Sequence, residues 1–358
     1  MGAKFFLCLF VVLLLGSKSD GYEENDSRHH RHHHHHHHHH HRHRLGYSQK
    51  VLFVFGDSYV DTGNINQSLS KSWKDPYGIT FPGKPSGRFS DGRVFTDFVA
   101  AYMGIPNPVT YRVREVAGKR KQFGMNFAYG GTGVFNTLVA LPNMTTQIDF
   151  FEKLIKTGVY DETDLKSSIA LVSVAGNDYS AYLTKNNGSF AGLTTFVEAV
   201  VNQTAANVKR ILGLGVQKVA MMGMQPLGCL PTRTRATSYK SCDAQSNMAV
   251  AYHNELLRKA VGSINATLSP PSKIAILDLY GSFNSVLQGS KFKDPLKPCC
   301  RGVNSSFTCG NVDQQGNKLY ELCSTPVSTF FWDEVHPTQD GWTTVVPSLM
   351  PTLHALLS

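Results

Sequence analysis

Four short polar stretches contain the residue types that acyl transfer requires. They are Gly56-Asp57-Ser58, Gly130-Gly131, Gly176-Asn177-Asp178 and, near the end of the chain, Asp333-Glu334-Val335-His336-Pro337. Cleavage of an ester by a serine needs a nucleophile, a base, a group that orients the base, and hydrogen-bond donors for the oxyanion. We assign Ser58, His336 and Asp333 to the first three roles. Gly131 and Asn177 are the predicted oxyanion donors.

The distribution of histidine supports His336 as the base. Of the 16 histidines, 13 fall in an N-terminal run, which leaves His253, His336 and His354. A neutral imidazole is the usual general base for a serine. His253 falls in a helix-like run with apolar residues on a shared face, so we interpret it as packed or hydrogen-bonded structure. His354 lies near the chain end, where chains commonly fray.

Apolar runs of two kinds indicate the elements that position these residues. Strand-like runs at 51–55, 169–174, 218–222 and 273–279 alternate with helix-like runs at 94–103, 148–155, 196–214 and 249–268. This alternation predicts a parallel sheet covered by helices on both faces. Sites in such sheets form beyond the carboxyl ends of the strands. Ser58 and Asn177 each follow a predicted strand, so both are expected at the same edge of the sheet.

Each motif has a second interpretation when taken alone. Gly-Asp-Ser is also a common turn or helix N-cap, and Asp333 and His336 could belong to a surface loop before the last helix. No Gly-x-Ser-x-Gly sequence occurs, so the usual nucleophile elbow of α/β-hydrolases is absent. Asp333 and His336 are three residues apart and can meet across a turn. One ring nitrogen would then face the carboxylate and the other would face Ser58.

Several motifs in order resemble the GDSL esterase/lipase family, also called SGNH hydrolases, in its secreted plant branch. The resemblance runs from about residue 51 to residue 352. It rests on VFGDSYVDTGN at 54–64, PYG at 76–78, GRFSDGR at 87–93, NFAYGGTG at 126–133, VAGNDY at 174–179, PLGCLP at 226–231 and FWDEVHPT at 331–338.

The resemblance implies a flavodoxin-like three-layer α/β/α sandwich with a mainly parallel sheet, the SGNH hydrolase fold, in one domain at 48–358. It implies a Ser58, His336 and Asp333 triad, with oxyanion donors from the Ser58 N–H, the Gly131 N–H and the Asn177 amide. Gly130 and Gly131 adjoin, so the resemblance fixes the glycine donor to within one residue, and we choose Gly131. The following aromatic residues near the motifs either line an apolar cleft or belong to the ordinary core: Tyr59, Trp73, Tyr77, Phe81, Phe89, Tyr129 and Phe135.

The leading hypothesis is a secreted serine ester hydrolase that acts on a small-molecule ester without a cofactor or metal. One alternative is an acyltransferase in which an alcohol replaces water at the same site. Another is a non-enzymatic role, in which the histidine-rich segment binds metal or the basic body binds wall polymers. The net charge of +9 is spread along the chain without an Arg-rich aromatic stripe, which disfavours nucleic acid. It permits weak contact with acidic cell-wall or membrane surfaces.

The N-terminal residues predict secretion. Residues 1–19 place Lys4 before a short apolar run that ends in small residues, the layout of a signal peptide. The apolar run is too short to span a membrane. Residues 20–47 are rich in His and Arg and are predicted to form a disordered arm. The expected location is extracellular, in the cell wall or apoplast, with the vacuole as the alternative.

Cysteines and glycosylation sequons are consistent with that route. An even number of cysteines behind a signal implies up to three disulfides, among which Cys229 with Cys242 is the local pairing. Adjacent cysteines fit disulfide geometry poorly, and the absence of paired C-x-x-C motifs disfavours zinc. The candidate cysteines are Cys229, Cys242, Cys299, Cys300, Cys309 and Cys323. The candidate glycosylation sites are Asn25, Asn66, Asn143, Asn187, Asn202, Asn265 and Asn304.

Overall fold

The structure, a computed structural model, describes residues 50–358. The predicted signal peptide, the His/Arg-rich arm and the Asn25 sequon lie outside the described residues. Within the described part of the chain, no helix is both long enough and apolar enough to cross a membrane.

Six parallel strands form the central sheet in the order β2-β3-β1-β4-β5-β6. Without the two-residue edge strand β2, this is the flavodoxin-like order 2-1-3-4-5. The first strand β1 lies between β3 and β4, with Val54 opposite Asn126 on one side and Leu171 on the other. The strands are β1 Val51–Gly56, β2 Val109–Thr110, β3 Gly124–Asn126, β4 Ser168–Ser173, β5 Lys218–Met222 and β6 Lys273–Leu277.

The four strand-like runs and four helix-like runs of the sequence are all present. The run at 273–279 is longer than its strand, because Asp278 ends it by accepting a hydrogen bond from the Gly281 N–H and capping the next helix. A small antiparallel pair, β7 Cys300–Gly302 and β8 Tyr320–Leu322, lies apart from the main sheet. The helices are α1 Phe95–Met103, α2 Met144–Lys156, α3 Glu162–Lys166, α4 Gly176–Lys185, α5 Leu193–Gly213, α6 Pro231–Thr234, α7 Ala244–Asn265, α8 Leu279–Gln288 and α9 Gln339–Leu357.

Both faces of the sheet are buried under helices. Successive residues of a strand point to opposite faces, so Phe53 and Phe55 of β1 pack with α2, α5 and α7. Leu52 and Val54 pack on the other face with α1, α8 and α9. The predicted three-layer α/β/α sandwich with a parallel sheet is therefore confirmed.

Three disulfides join all six candidate cysteines. The pairs are Cys229 with Cys242, Cys299 with Cys323 and Cys300 with Cys309. The first is the local pairing that the sequence favours, and the adjacent cysteines are bonded to different partners. The other two bridges hold β7 and its surroundings, the segment that precedes Asp333 and His336.

The six described sequons differ in how accessible their amides are. The Asn265 side chain donates to the Ile274 carbonyl and accepts from the Ile274 N–H, both at 2.9 Å. The Asn143 side chain caps α2. A glycan on the Asn265 nitrogen would displace its bond to Ile274, so the exposed sequons are the better candidates. These are Asn66, Asn187, Asn202 and Asn304.

Candidate active site

Ser58 lies in a tight turn at the carboxyl end of β1, beside the end of β4. Gly56 has φ of +146°, and a Cβ on it would lie 2.0 Å from the Ser173 carbonyl oxygen, so only glycine fits there. The next residue, Asp57, donates its N–H to the same oxygen at 3.0 Å. The chain therefore turns sharply where β1 ends against the Ser173 carbonyl of β4, and this turn places Ser58 at the edge of the sheet.

Gln147 of α2 fixes this turn, and sequence analysis missed its role. The Gly56 N–H donates to Gln147 Oε1 at 2.8 Å, and Gln147 Nε2 donates to the Gly56 carbonyl at 2.9 Å. Gln147 is fully buried on the same helix face as Met144, Ile148 and Phe151. The sequence did contain a signal for this role, because Gln147 is a polar residue at a position of α2 that the helical pattern assigns to the apolar, buried face.

The structure brings Ser58, His336 and Asp333 together in one hydrogen-bonded chain. Ser58 Oγ lies 2.7 Å from His336 Nε2. His336 Nδ1 lies 2.8 Å from Asp333 Oδ1 and 3.0 Å from Oδ2. With Nδ1 donating to the carboxylate, Nε2 of the neutral ring is an acceptor for the serine hydroxyl. All three residues are buried.

The Asp333 carboxylate has partners on both oxygens. Oδ1 accepts from the backbone N–H groups of Val335 and His336, each at 2.9 Å. Oδ2 accepts from the Tyr77 hydroxyl at 2.6 Å and lies 3.8 Å from Lys71 Nζ. Burial acts to raise the pKa of Asp333, but the electrostatic interactions with the adjacent His336 and Lys71, with the hydrogen bonds from His336 and Tyr77, outweigh it. The pKa is held well below its usual range, so the carboxylate stays ionised.

Two aromatic rings hold the imidazole of His336. Its ring centroid lies 5.1 Å from that of Phe89 and 5.9 Å from that of Tyr59. The Tyr59 hydroxyl donates to the Val335 carbonyl at 2.9 Å, which ties β1's turn to the loop that carries His336. Among the aromatic candidates from the sequence, Tyr59 and Tyr77 are therefore core around the triad, whereas Phe89 also lines a cavity.

The structure distinguishes the two adjacent glycines of the second motif. The Gly130 N–H donates to Asp61 Oδ2 at 2.9 Å. Gly131 has φ of +80°, a left-handed conformation that favours glycine. Within residues 50–358, neither the Gly131 N–H nor the Ser58 N–H donates to a protein acceptor. Gly131, rather than Gly130, is therefore free to donate to a substrate.

Asn177 lies in the first turn of α4, directly after β4. Its Nδ2 donates one hydrogen to the Thr132 carbonyl at 2.9 Å, which connects α4 to the Gly130-Gly131 loop. An amide NH₂ has two donors, so the second remains for a ligand. The helix N-terminus also carries partial positive charge, which favours an anion beside Asn177.

Three other buried carboxyl groups support the loops around Ser58 and Gly131. Burial raises the pKa of Asp57 to about 7 and those of Asp61 and Asp178 to about 6, against opposing backbone hydrogen bonds. Asp61 accepts from three backbone N–H groups, including that of Gly130. Asp178 accepts from the N–H groups that follow Gly133, at 2.9 Å each. These carboxyl groups position backbone, and within residues 50–358 none of them forms an ion pair with a lysine, arginine or histidine.

The remaining histidines lie away from the triad. His253 is buried in α7, with Nδ1 2.6 Å from the Tyr179 hydroxyl, as its interpretation as packed or hydrogen-bonded structure requires. Burial lowers the pKa of His253 to about 4, so its ring is neutral at physiological pH. His354 lies in the last turn of α9, which continues to Leu357, and contacts the Tyr102 hydroxyl at 3.0 Å.

Comparison with known proteins identifies the family of this chain. The GDSL-like lipase/acylhydrolase family model matches residues 52–346. GDSL esterase/lipase At5g03610 of Arabidopsis thaliana is 47% identical over 99% of this chain and 98% of its own length. GDSL esterase/lipase At3g09930 of the same plant is 52% identical over 85% of this chain and 88% of its own length.

Among solved structures, the lipase Lip_vut3 from a goat rumen metagenome aligns over 86% of this chain and 99% of that chain, with 10% identity and a TM-score of 0.39. That likeness is too low to add to the family assignment. The family model covers most of the chain, and both plant relatives are far above 30% identity. This chain belongs to the GDSL-like lipase/acylhydrolase family and is a carboxylic ester hydrolase.

Proposed function

We propose that Ser58 is the nucleophile of this hydrolase and that His336 is its general base and acid. Asp333 orients the His336 ring and stabilises its protonated form. The observation that carries the proposal is the hydrogen-bonded chain from Ser58 Oγ through His336 to Asp333, with distances of 2.7 and 2.8 Å. An ionised, buried Asp333 stabilises the imidazolium that forms when His336 accepts a proton.

In the acylation step, Ser58 Oγ attacks the carbonyl carbon of the ester while its proton moves to His336 Nε2. The carbonyl π electrons move to oxygen and give a tetrahedral oxyanion. Collapse re-forms the C=O bond and breaks the bond to the alcohol oxygen, which takes the proton from His336. The alcohol leaves and an acyl-Ser58 ester remains.

Deacylation repeats these steps with water. His336 Nε2 accepts a proton as the water oxygen attacks the acyl carbon, and it then returns a proton to Ser58 Oγ as that oxygen leaves. The products are the free acid and the restored hydroxyl. One base therefore serves both half-reactions.

Three donors form the proposed oxyanion hole: the N–H groups of Ser58 and Gly131 and the side-chain amide of Asn177. Support comes from the two N–H groups that have no protein acceptor within residues 50–358. Further support comes from Asn177, held by its bond to Thr132 at 2.9 Å. Donors fixed before reaction stabilise the oxyanion without reorganisation.

The test is hydrolysis of a short p-nitrophenyl ester by Ser58→Ala, with Ser263→Ala as the matched control. Ser263 is an exposed serine of α7 whose hydroxyl donates to the Lys259 carbonyl. We expect kcat of Ser58→Ala to fall by roughly 10³-fold or more and that of Ser263→Ala to stay unchanged. Near wild-type turnover in correctly folded Ser58→Ala would contradict the proposal.

We also propose that the protein is secreted and acts on small-molecule esters outside the cell or in the vacuole. The signal-like residues 1–19 and the three disulfides support an oxidising compartment. The net charge of +9 would add weak attraction to acidic wall or membrane surfaces. Protein retained in the cytosol with six free thiols would contradict secretion.

A further inference from the structure

A second buried carboxylate lies directly after Asp333 in the chain. The Glu334 side chain is 15% exposed, and that of Asp333 is 1% exposed. The proposed mechanism gives Glu334 no step. A carboxylate removed from water needs a compensating partner, so the groups around Glu334 show what balances its charge.

Lys71 is the counter-ion of both carboxylates. Its Nζ lies 3.8 Å from Asp333 Oδ2 and 4.0 Å from Glu334 Oε2. Within residues 50–358, no other lysine or arginine forms an ion pair with either group. One positive charge therefore faces two negative charges beside the proposed triad.

The surrounding structure holds Lys71 close to the oxygen that faces His336. Lys71 begins a short 3₁₀ helix, Lys71–Trp73, which the Ser70 side chain caps. Its ammonium lies 5.8 Å from the centroid of the Tyr77 ring, and the Tyr77 hydroxyl donates to Asp333 Oδ2 at 2.6 Å. The same oxygen lies 3.0 Å from His336 Nδ1. The Lys71 side chain is 34% exposed, so water screens its charge only in part.

The other titratable groups around His336 add less charge. Burial raises the pKa of Tyr59 and that of Tyr77 well above the usual value, so both are neutral phenols. Asp57, which interacts with Tyr59, has a pKa of about 7 and is partly protonated near neutral pH. The main charges in this part of the site are therefore those of Asp333, Glu334 and Lys71.

The balance of these three charges determines when His336 can act as a base. Negative charge beside an imidazole favours its protonated form, and positive charge disfavours it. A general base has to be neutral before it accepts the proton of Ser58. Two carboxylates without a cation would keep the ring protonated up to a higher pH and would narrow the range in which it works.

The electrostatics of Glu334 agree with this coupling. Burial and the charge of Asp333 raise the pKa of Glu334, and the charge of Lys71 opposes them. The ammonium thus acts on both carboxylates, as its two distances require.

We propose that Lys71 is a positioning residue that balances the charge of Glu334, so that the net charge beside His336 is that of one carboxylate. Lys71 acts through Asp333 and contacts no reacting atom. The inference rests on the proposed function and deepens it, since it assigns the group that sets the lower pH limit of activity.

The test is the pH dependence of kcat/KM for a short p-nitrophenyl ester, with the product measured by chromatography at every pH. The midpoint of the fall in kcat/KM at acidic pH reports protonation of the base in the free enzyme. Lys71→Met removes the positive charge and keeps much of the side-chain bulk. Glu334→Gln removes the second negative charge, and Lys71→Arg keeps the positive one.

Removing the two charges should move this midpoint in opposite directions. We expect Lys71→Met to raise it by about one pH unit, because the remaining carboxylates favour the imidazolium. Below the midpoint, kcat/KM would then be about tenfold lower than in the wild type. Glu334→Gln should lower the midpoint by about half a unit. Lys71→Arg should stay near the wild-type value, and the double variant of Lys71→Met with Glu334→Gln should lie between the two single variants.

Exposed residues of the same types provide the matched controls. Lys74→Met removes an exposed lysine three positions along the chain, and Glu162→Gln removes a carboxylate of a surface pair with Lys166. Neither should move the midpoint.

Two outcomes would overturn the inference. One is a lower rate in Lys71→Met with an unchanged midpoint, which would mean that Lys71 only supports the structure. The other is a shift in the same direction in Lys71→Met and Glu334→Gln. Where Lys71→Met does not fold, Glu334→Gln decides alone, and an unchanged midpoint in that variant overturns the inference.

Ser58→Ala separates these outcomes from failure of the proposed function. If hydrolysis survives in Ser58→Ala, the proposed mechanism fails whatever the midpoints do. If hydrolysis depends on Ser58 but Lys71→Met and Glu334→Gln leave the midpoint unchanged, this inference alone fails.

Discussion

Buried aspartates in two regions of the site have opposite electrostatic properties. Around the proposed oxyanion donors, Asp57, Asp61 and Asp178 have raised pKa values, about 7, 6 and 6, mainly because burial disfavours their charge. In the loop that carries the proposed base His336, Asp333 is also fully buried, but its pKa is lowered because His336 and Lys71 lie beside it. Burial is common to both regions, so the nearby positive charge decides the sign of the shift.

The difference fits the chemistry proposed for each region. Negative charge must develop on the substrate oxygen near Gly131 and Asn177, and an ionised carboxylate there would oppose it. With a pKa of about 7, Asp57 is partly protonated near neutral pH, which reduces the negative charge in this region, whereas Asp61 and Asp178, at about 6, are mostly ionised there and hold backbone N–H groups as carboxylates. His336, by contrast, becomes positive during the reaction, and a permanently ionised Asp333 stabilises that state.

The largest effect should follow from removing the charge of Asp333. We expect Asp333→Asn to lower kcat by roughly 10³-fold to 10⁴-fold, because an amide neither holds the required tautomer nor stabilises the imidazolium. The melting temperature should change far less. Asp149→Asn, which alters an exposed surface ion pair with Arg210, is the matched control. A modest loss in Asp333→Asn would mean that His336 does not depend on this charge.

A smaller loss should follow from removing a neutral donor in the oxyanion region. Asn177→Ala should lower kcat by roughly 10²-fold to 10³-fold, because it deletes one preorganised donor where negative charge develops. Steady-state kinetics should show a smaller change in KM. If only KM rises, Asn177 binds the substrate rather than the transition state.

The third prediction concerns stability and tests the raised pKa values. A carboxyl whose folded pKa lies above its unfolded value stabilises the fold at low pH and loses that contribution as pH rises through the folded pKa. For Asp57, the window runs from about pH 4 to pH 7. Urea unfolding of the wild type should therefore give a lower free energy of unfolding at pH 8 than at pH 5. Asp57→Asn should reduce this decline by about 2 to 3 kcal/mol, because one proton is released over about two pH units between pH 5 and the folded pKa.

The unfolding measurement can also contradict the raised pKa of Asp57. If the pH dependence of unfolding is the same in Asp57→Asn and in the wild type, Asp57 ionises normally and the two regions do not differ as described. Asp333 contributes in the opposite direction, since a lowered pKa gives stability that is lost only as pH falls towards the folded value. Its contribution therefore stays constant between pH 5 and pH 8.

Patterns within short segments predicted much of the fold and the candidate triad. The strands β1, β4 and β5 are continuous apolar runs, so composition alone identified them. The strand β3 was missed because its three residues, Gly124–Asn126, are too few to form a pattern. Motif order brought Ser58 and His336 into one hypothesis although 278 positions separate them.

The supporting residues could not be found in that way. Tyr77 and Asp333 are 256 positions apart, and Gly56 and Gln147 are 91 apart, so their contacts exist only once the sheet has formed. Lys71 resembles any surface lysine in the sequence, and its distance of 3.8 Å from Asp333 depends on how two distant loops meet. The candidate reacting groups can be predicted from residue type and motif, whereas the residues that contact them are determined by tertiary packing.

Covalent labelling tests the identity of the nucleophile most directly. A fluorophosphonate reacts with a serine that an adjacent base has activated, and peptide mass spectrometry locates the adduct. We expect one modified residue, Ser58, with labelling and esterase activity lost in parallel and with little labelling of His336→Ala. An active protein that is labelled at another serine, or inactivated while Ser58 stays unmodified, would contradict the account.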